Sequence, residues 1–159
     1  MKRLWIILGI SLLAVSGQLL AQDRLHDQEL ARAIAARTWV FHARTALPLN
    51  GRAIQLTDPG YVLTLMPDSL AADLPYFGRA YAAPLNPAEG GIHLRSGAYR
   101  YTSKTQKTGW HLTIYPPENP DVYRMDLHVS TSGDASLQLV LQQRQNISYF
   151  GYITGFTEK

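Results

Sequence analysis

Between Trp110 and Ile153 the sequence reads WHLTIYPPENPDVYRMDLHVSTSGDASLQLVLQQRQNISYFGYI, and its period-two alternation decides the fold. Trp110, Leu112 and Ile114 alternate with polar residues, as do Tyr123, Met125, Leu127 and Val129, then Ala135, Leu137, Leu139 and Leu141. Such alternation marks half-buried strands, and matching apolar faces across each turn predicts the hairpin registers. The expected pairs are Trp110 with Leu127, Leu112 with Met125 and Ile114 with Tyr123, then Val129 with Ala135 and Leu127 with Leu137. The last strand follows as Leu141 with Ile147, Leu139 with Tyr149, Leu137 with Gly151 and Ala135 with Ile153. Thr131-Ser132-Gly133 supplies the glycine that a three-residue hairpin loop needs in a left-handed conformation. Four consecutive strands are therefore expected to form an antiparallel meander with one continuous apolar face.

Working outward, Trp39, Phe41 and Ala43 alternate in the same way, as do Ile54 and Leu56, and Tyr61, Leu63 and Leu65. Before them, residues 22–36 are rich in Ala, Leu, Gln and Glu without Gly or Pro, which predicts one amphipathic helix. About nine or ten short strands are too many for a flat sheet of ordinary size. The expected class is mainly β (α+β), with an N-terminal helix followed by an antiparallel meander curled into an open barrel or two layers. Phe150, Tyr152 and Phe156 face away from the apolar side of the last strand, and the helix is expected to cover them.

The chain has 159 residues, a formal net charge of +3, five His and no Cys. Lys2 and Arg3, an apolar run from Leu4 to Val15, and a small residue at Ala21 before polar Gln22 read as a secretory leader over residues 1–21. The apolar run of 12 residues is shorter than the roughly 20 that cross a bilayer as a helix, so no transmembrane segment is expected after cleavage. Residues 22–159 then form a single mostly β domain, exported to the periplasm or the exterior. Loss of the leader leaves thirteen Lys and Arg against twelve Asp and Glu, a net charge of +1, so the basicity belongs to targeting. Nucleic acid is not an expected partner, because phosphate recognition needs concentrated positive charge. Without Cys there is no disulfide, no thiol nucleophile and no lipid anchor on an N-terminal cysteine.

At Leu74-Pro75-Tyr76-Phe77-Gly78-Arg79-Ala80-Tyr81 the chemistry becomes distinctive. This block resembles a family of exported bacterial proteins known as domain of unknown function 4251. Glu89-Gly90-Gly91-Ile92, Gly109-Trp110, Asp121-Val122-Tyr123, Ser132-Gly133 and the closing Arg144-Gln145-Asn146-Ile147-Ser148-Tyr149 with Gly151 extend the resemblance over nearly the whole of residues 22–159. It implies an exported, mostly β protein typical of Bacteroidetes, with no established activity, substrate or catalytic residue. Some members of that family look lipid-anchored, and this chain departs from them in having no cysteine.

If the block is extended between Pro75 and Pro84, Phe77, Arg79 and Tyr81 share one face and Tyr76 lies on the other. A guanidinium flanked by aromatic rings suits a carboxylate, a sugar or a peptide. The structural alternative is a proline-fenced edge strand with Arg79 bonded to carbonyls and Gly78 packed beneath a neighbouring side chain. His111 is expected opposite Asp126, an arrangement able to serve as a general base or pH sensor, or simply an exposed pair. No nucleophile elbow accompanies it. His26, His42, His93, His111 and His128 show no metal-ligand spacing, so neither metal nor cofactor is expected.

These features favour a non-enzymatic exported module that binds a small apolar or amphipathic ligand, a peptide or an envelope protein near Tyr76, Phe77, Arg79 and Tyr81. A hydrolase-like enzyme with an unrecognised site around His111, Asp126 or Arg79, and a structural envelope component, are the alternatives.

Overall fold

A computed structural model describes residues 27–79, 90–117 and 119–156. The expected leader, the first five residues of the expected helix and Tyr81 lie outside the described residues. The helix α1 covers residues 27–36. Ten strands follow: β1 (Trp39–Pro48), β2 (Ile54–Gln55), β3 (Val62–Met66), β4 (Ser69–Leu74), β5 (Ile92–Ser96), β6 (Arg100–Gln106), β7 (Gly109–Tyr115), β8 (Val122–Ser130), β9 (Asp134–Leu141) and β10 (Ile147–Gly155). They form one antiparallel sheet in the order β5-β4-β3-β1-β10-β9-β8-β7-β6, with β2 pairing the second half of β1. The expected meander is present as β7 to β10.

The edge strands β5 and β6 are consecutive in sequence, joined by Gly97-Ala98-Tyr99. Laid flat, eight inter-strand gaps of about 4.8 Å would separate them by about 38 Å. The short link reaches at most about 14 Å. The sheet must therefore curl upon itself, and its alternating side chains divide into a concave inner face and a convex outer one. Trp39, Phe41, Leu63, Leu127, Leu137 and Tyr149 are fully buried on the inner side. The helix contributes Leu30, Ala33 and Ile34 to the same core. It lies where β1 starts and β10 ends, since Ala33 meets the inner side of Gly155 and the Tyr101 hydroxyl donates to the Ile34 carbonyl at 3.3 Å.

The helix therefore does not cover the outer aromatic residues, contrary to the expectation. Phe150 and Phe156 are 46% and 40% exposed. Tyr152 stacks on His42, with ring centroids 4.8 Å apart, and carries the Arg44 guanidinium 4.4 Å from its centroid. Arg44 lies on that outer face in step with Val40 and His42, and the bulge in β1 between Ala43 and Thr45 brings Ala46 to the inner side.

Face matching predicts two of the three hairpin registers wrongly, each by two residues. Leu112 pairs with Leu127 and Ile114 with Met125, while Leu139 pairs with Ile147 and Leu137 with Tyr149. A slip of two leaves every side chain on its original face, so alternation alone cannot resist it. The β8–β9 register does follow the expectation, with Val129 opposite Ala135 and Leu127 opposite Leu137. There the short loop fixes the pairing: Gly133 has φ +87° and donates to the Ser130 carbonyl at 3.0 Å. A second correction concerns Tyr123, which a bulge in β8 turns outward to 54% exposure while Val122 takes the inner position.

The helix ends in a two-bond Schellman cap, Thr38 N–H to the Ala33 carbonyl at 2.9 Å and Arg37 N–H to the Ile34 carbonyl at 3.3 Å. Arg37 occupies the left-handed position with φ +57°, which disfavours a residue bearing Cβ. Arg37→Gly should raise stability by about 0.5–1 kcal/mol, read as an increase of a few degrees in Tm, even though it removes an exposed cation–π contact with Tyr101.

Candidate functional site

At the end of the curled sheet opposite α1, the chain leaves β4 through Pro75 and runs without regular structure to Arg79. The expected strand is not formed there. Residues 75–79 instead wrap around Tyr76, whose hydroxyl lies 3.0 Å from both the Arg79 and the Gln145 carbonyls. A Cβ on Gly78 would collide with that hydroxyl, so the expected packing of a side chain over Gly78 is present and Tyr76 supplies it. The fully buried Tyr149 donates to the Pro75 carbonyl at 2.8 Å.

The arginine on this aromatic ring is Arg144, 5.1 Å from the Tyr76 centroid, and not Arg79. Arg144 pairs with Asp121 at 2.9 Å and donates to the Gly91 carbonyl at 3.1 Å, tying together three loops. The main chain of Arg79 bonds Gln145, accepting from its N–H at 3.0 Å. Its guanidinium has no hydrogen-bond or ion-pair partner among the described residues, so the carbonyl-satisfying role expected for Arg79 belongs to Arg144.

Two clefts flank this segment. One, of about 300 Å³, is lined by Arg52, Phe77, Arg79, Asn50 and Gln145. The other, of about 530 Å³, is lined by Asp58, Tyr61, Asp73, Tyr76, Gly91 and His93. Of the four residues singled out in the sequence, Phe77 and Arg79 thus share the first cleft and Tyr76 lines the second, while Tyr81 lies outside the described residues.

His111 does not face Asp126. It stands opposite His128, and the two rings stack with centroids 4.2 Å apart. Its Nε2 lies 3.7 Å from the Asp126 carboxylate, a diagonal contact within ion-pair range but too long for a hydrogen bond, and it has no hydrogen-bond partner among the described residues. Asp126 accepts instead from Arg124 Nε at 2.7 Å and from the Thr113 hydroxyl at 3.1 Å. The two-residue register shift accounts for the difference, because Asp126 now stands opposite Thr113.

A His–Asp pair does form elsewhere. Asp73 and His93 are cross-strand partners on β4 and β5, with His93 Nδ1 2.9 Å from the carboxylate and Arg95 2.6 Å from its other oxygen. Hydrogen bonds from His93 and Arg95 hold the Asp73 carboxyl below the usual carboxylate range, against a smaller opposing effect of burial. Alternation already places both residues on the polar side of their strands. What the sequence lacks is a register signal, because the connection from Leu74 to Ile92 is too long to define one. Among the described residues no three His, Asp or Glu side chains gather as metal ligands.

Two predictions follow from the anchoring of Tyr76 and Tyr149. Arg144→Ala should cost roughly 2 kcal/mol by stranding the partly buried Asp121, whereas Arg79→Ala should stay within about 0.5 kcal/mol; urea melts of the pair check this. Burial pushes the Tyr149 phenol well above the usual tyrosine range, so the folded protein holds its proton after the unfolded chain has lost it. Stability should accordingly fall as the pH rises above about 10. Tyr149→Phe should cost about 1–2 kcal/mol at neutral pH, through the lost bond to Pro75, yet flatten that alkaline decline.

The fold is similar to that of a DUF4251 family protein from Bacteroides eggerthii DSM 20697, known from a crystal structure, with a TM-score of 0.61 and 11% sequence identity over 85% of this chain and 91% of that chain. At that identity the likeness concerns the fold alone. No curated protein matches the sequence. A match to the family described as domain of unknown function (DUF4251) spans residues 21–153, and the chain belongs to that family.

Proposed function

We propose that the protein is an exported, non-enzymatic binding module whose first cleft takes an amphipathic anion, a carboxylate joined to an apolar or aromatic group. Export is supported by the leader-like composition of residues 1–21, nearly all of which precede the family match. The inner face of the sheet is packed with side chains, so a ligand is accommodated on the rim and not inside the curl.

The observation that carries the reading is the cleft of Arg52, Phe77 and Arg79. It contains two guanidinium groups and no carboxylate among its lining residues, and Phe77 is 43% exposed beside them. Guanidinium forks match carboxylates in a planar bidentate geometry, and an exposed ring supplies a surface for the apolar part. Both arginines face solvent, so water competes for them and affinity for a small probe should be near millimolar, about −4 kcal/mol.

Calorimetric titration with phenylacetate and its uncharged amide tests this. Phenylacetate should bind and phenylacetamide should not, and Arg79→Ala should weaken phenylacetate at least about tenfold while the melting temperature stays unchanged. Equal binding of the two compounds, or none of either, would sink the proposal.

A further inference from the structure

The second cleft has the opposite chemistry, and it was not among the sites expected from the sequence. Asp73 is its organising group. An ionised carboxylate only accepts hydrogen bonds, so the neutral His93 ring must carry its proton on Nδ1 to bond Asp73 at 2.9 Å. That leaves Nε2 as an acceptor with a fixed orientation. A Cβ on Gly91 would stand 2.8 Å from this nitrogen and 3.0 Å from the Leu74 carbonyl, so the ring keeps its place because residue 91 has no side chain.

The other groups lining the cleft extend the same pattern. Asp58 uses one carboxylate oxygen to accept the Gly60 N–H at 2.8 Å, and the other has no partner among the described residues. The Tyr76 hydroxyl is directed to the carbonyls of Arg79 and Gln145. Tyr61 and Tyr76 are half-buried and offer ring surface. Acceptors therefore outnumber donors, which suits a ligand presenting several hydrogen-bond donors together with an apolar face.

Charge decides between the two ligand classes that fit this description, a polyol and an ammonium ion. Arg95 is 2.6 Å from Asp73 and neutralises it, so that among the described lining residues the Asp58 carboxylate alone is uncompensated. Against so little net field a cation would lose more hydration than it regains, whereas hydroxyl groups exchange water for fixed acceptors at little cost. The volume of about 530 Å³ lies within the usual range for small-molecule sites, about 300–1,000 Å³.

We propose that the cleft between Asp58, Tyr61, Asp73 and His93 is a saccharide-binding site in which His93 Nε2 and Asp58 accept ligand hydroxyls. Asp73 acts as a positioning residue that sets the His93 ring. The site is separate from the anion cleft and does not depend on it. With the His93 side chain 59% exposed, water competes and binding is weak, about millimolar for a disaccharide.

The test is a titration of the full chain with cellobiose, maltose and N,N′-diacetylchitobiose at about pH 8, above the ordinary imidazole range, following the His93 ring resonances by NMR. At least one disaccharide should give a saturable shift at about 1–10 mM. His93→Ala and Asp58→Asn, read by intrinsic tyrosine fluorescence, should each weaken binding at least about tenfold with an unchanged melting temperature. Asp73→Asn should weaken it less and broaden the His93 signals, the mark of a positioning role. Arg79→Ala should weaken phenylacetate binding at least about tenfold and leave the disaccharide untouched, so that the two proposals fail separately. No shift with any of the three up to about 100 mM, or binding that survives His93→Ala, would overturn the saccharide site. A saturable shift with butylammonium in place of the disaccharides would overturn it in favour of a cation.

Discussion

The three-residue link between Ser96 and Arg100 is the constraint on which the rest of the structure depends. It joins the two outermost strands of the sheet, so the sheet cannot lie flat. Once curled, it has an inside that must exclude water, and every apolar alternation in the chain is directed there. The inside is then filled by Trp39, Phe41, Tyr149 and the leucines of six strands, with Ile34 and Leu30 of the helix closing one end. These buried side chains make the inner side of the curl a hydrophobic core.

Closing the other end presents a different physical problem. Irregular chain crosses it, and irregular chain carries backbone carbonyls that burial would leave unpaired. Tyr149 caps the Pro75 carbonyl, Tyr76 lies against those of Arg79 and Gln145, and Arg144 takes that of Gly91 while pairing with Asp121. These polar side chains do for the rim what alternating leucines do for the centre. The same irregular chain creates two clefts beside them, with two arginines on one side and an oriented histidine on the other. Loops held by a rigid scaffold are where binding groups are generally found.

The strands β1 to β3 and β7 to β10 were legible because alternation is a local property. The registers of β7–β8 and β9–β10 were less legible, since the hydrophobic effect distinguishes faces and is indifferent to a slip of two. That slip moved Asp126 from opposite His111 to opposite Thr113 and left the expected pair as a diagonal contact of 3.7 Å without a hydrogen bond. Asp73 and His93, separated by a long connection, were brought together by a pairing that no local signal announces. Tyr123 was turned outward and Ala46 inward by single-residue bulges, which break the period without leaving a turn residue behind.

The amino-acid sequence by itself determined that the chain builds a mostly β structure with a continuous apolar face and one N-terminal helix, and that the Pro75–Arg79 segment is chemically unusual. Tertiary structure alone decided which arginine meets which ring, because Arg144 and Tyr76 lie far apart in the chain and meet only when the sheet has curled. It also decided that the outer aromatic residues stay uncovered and that the polar groups sort into two clefts of opposite character. Face choice is written in neighbouring residues, whereas partner choice follows from loop geometry and curvature, which exist only in the assembled sheet.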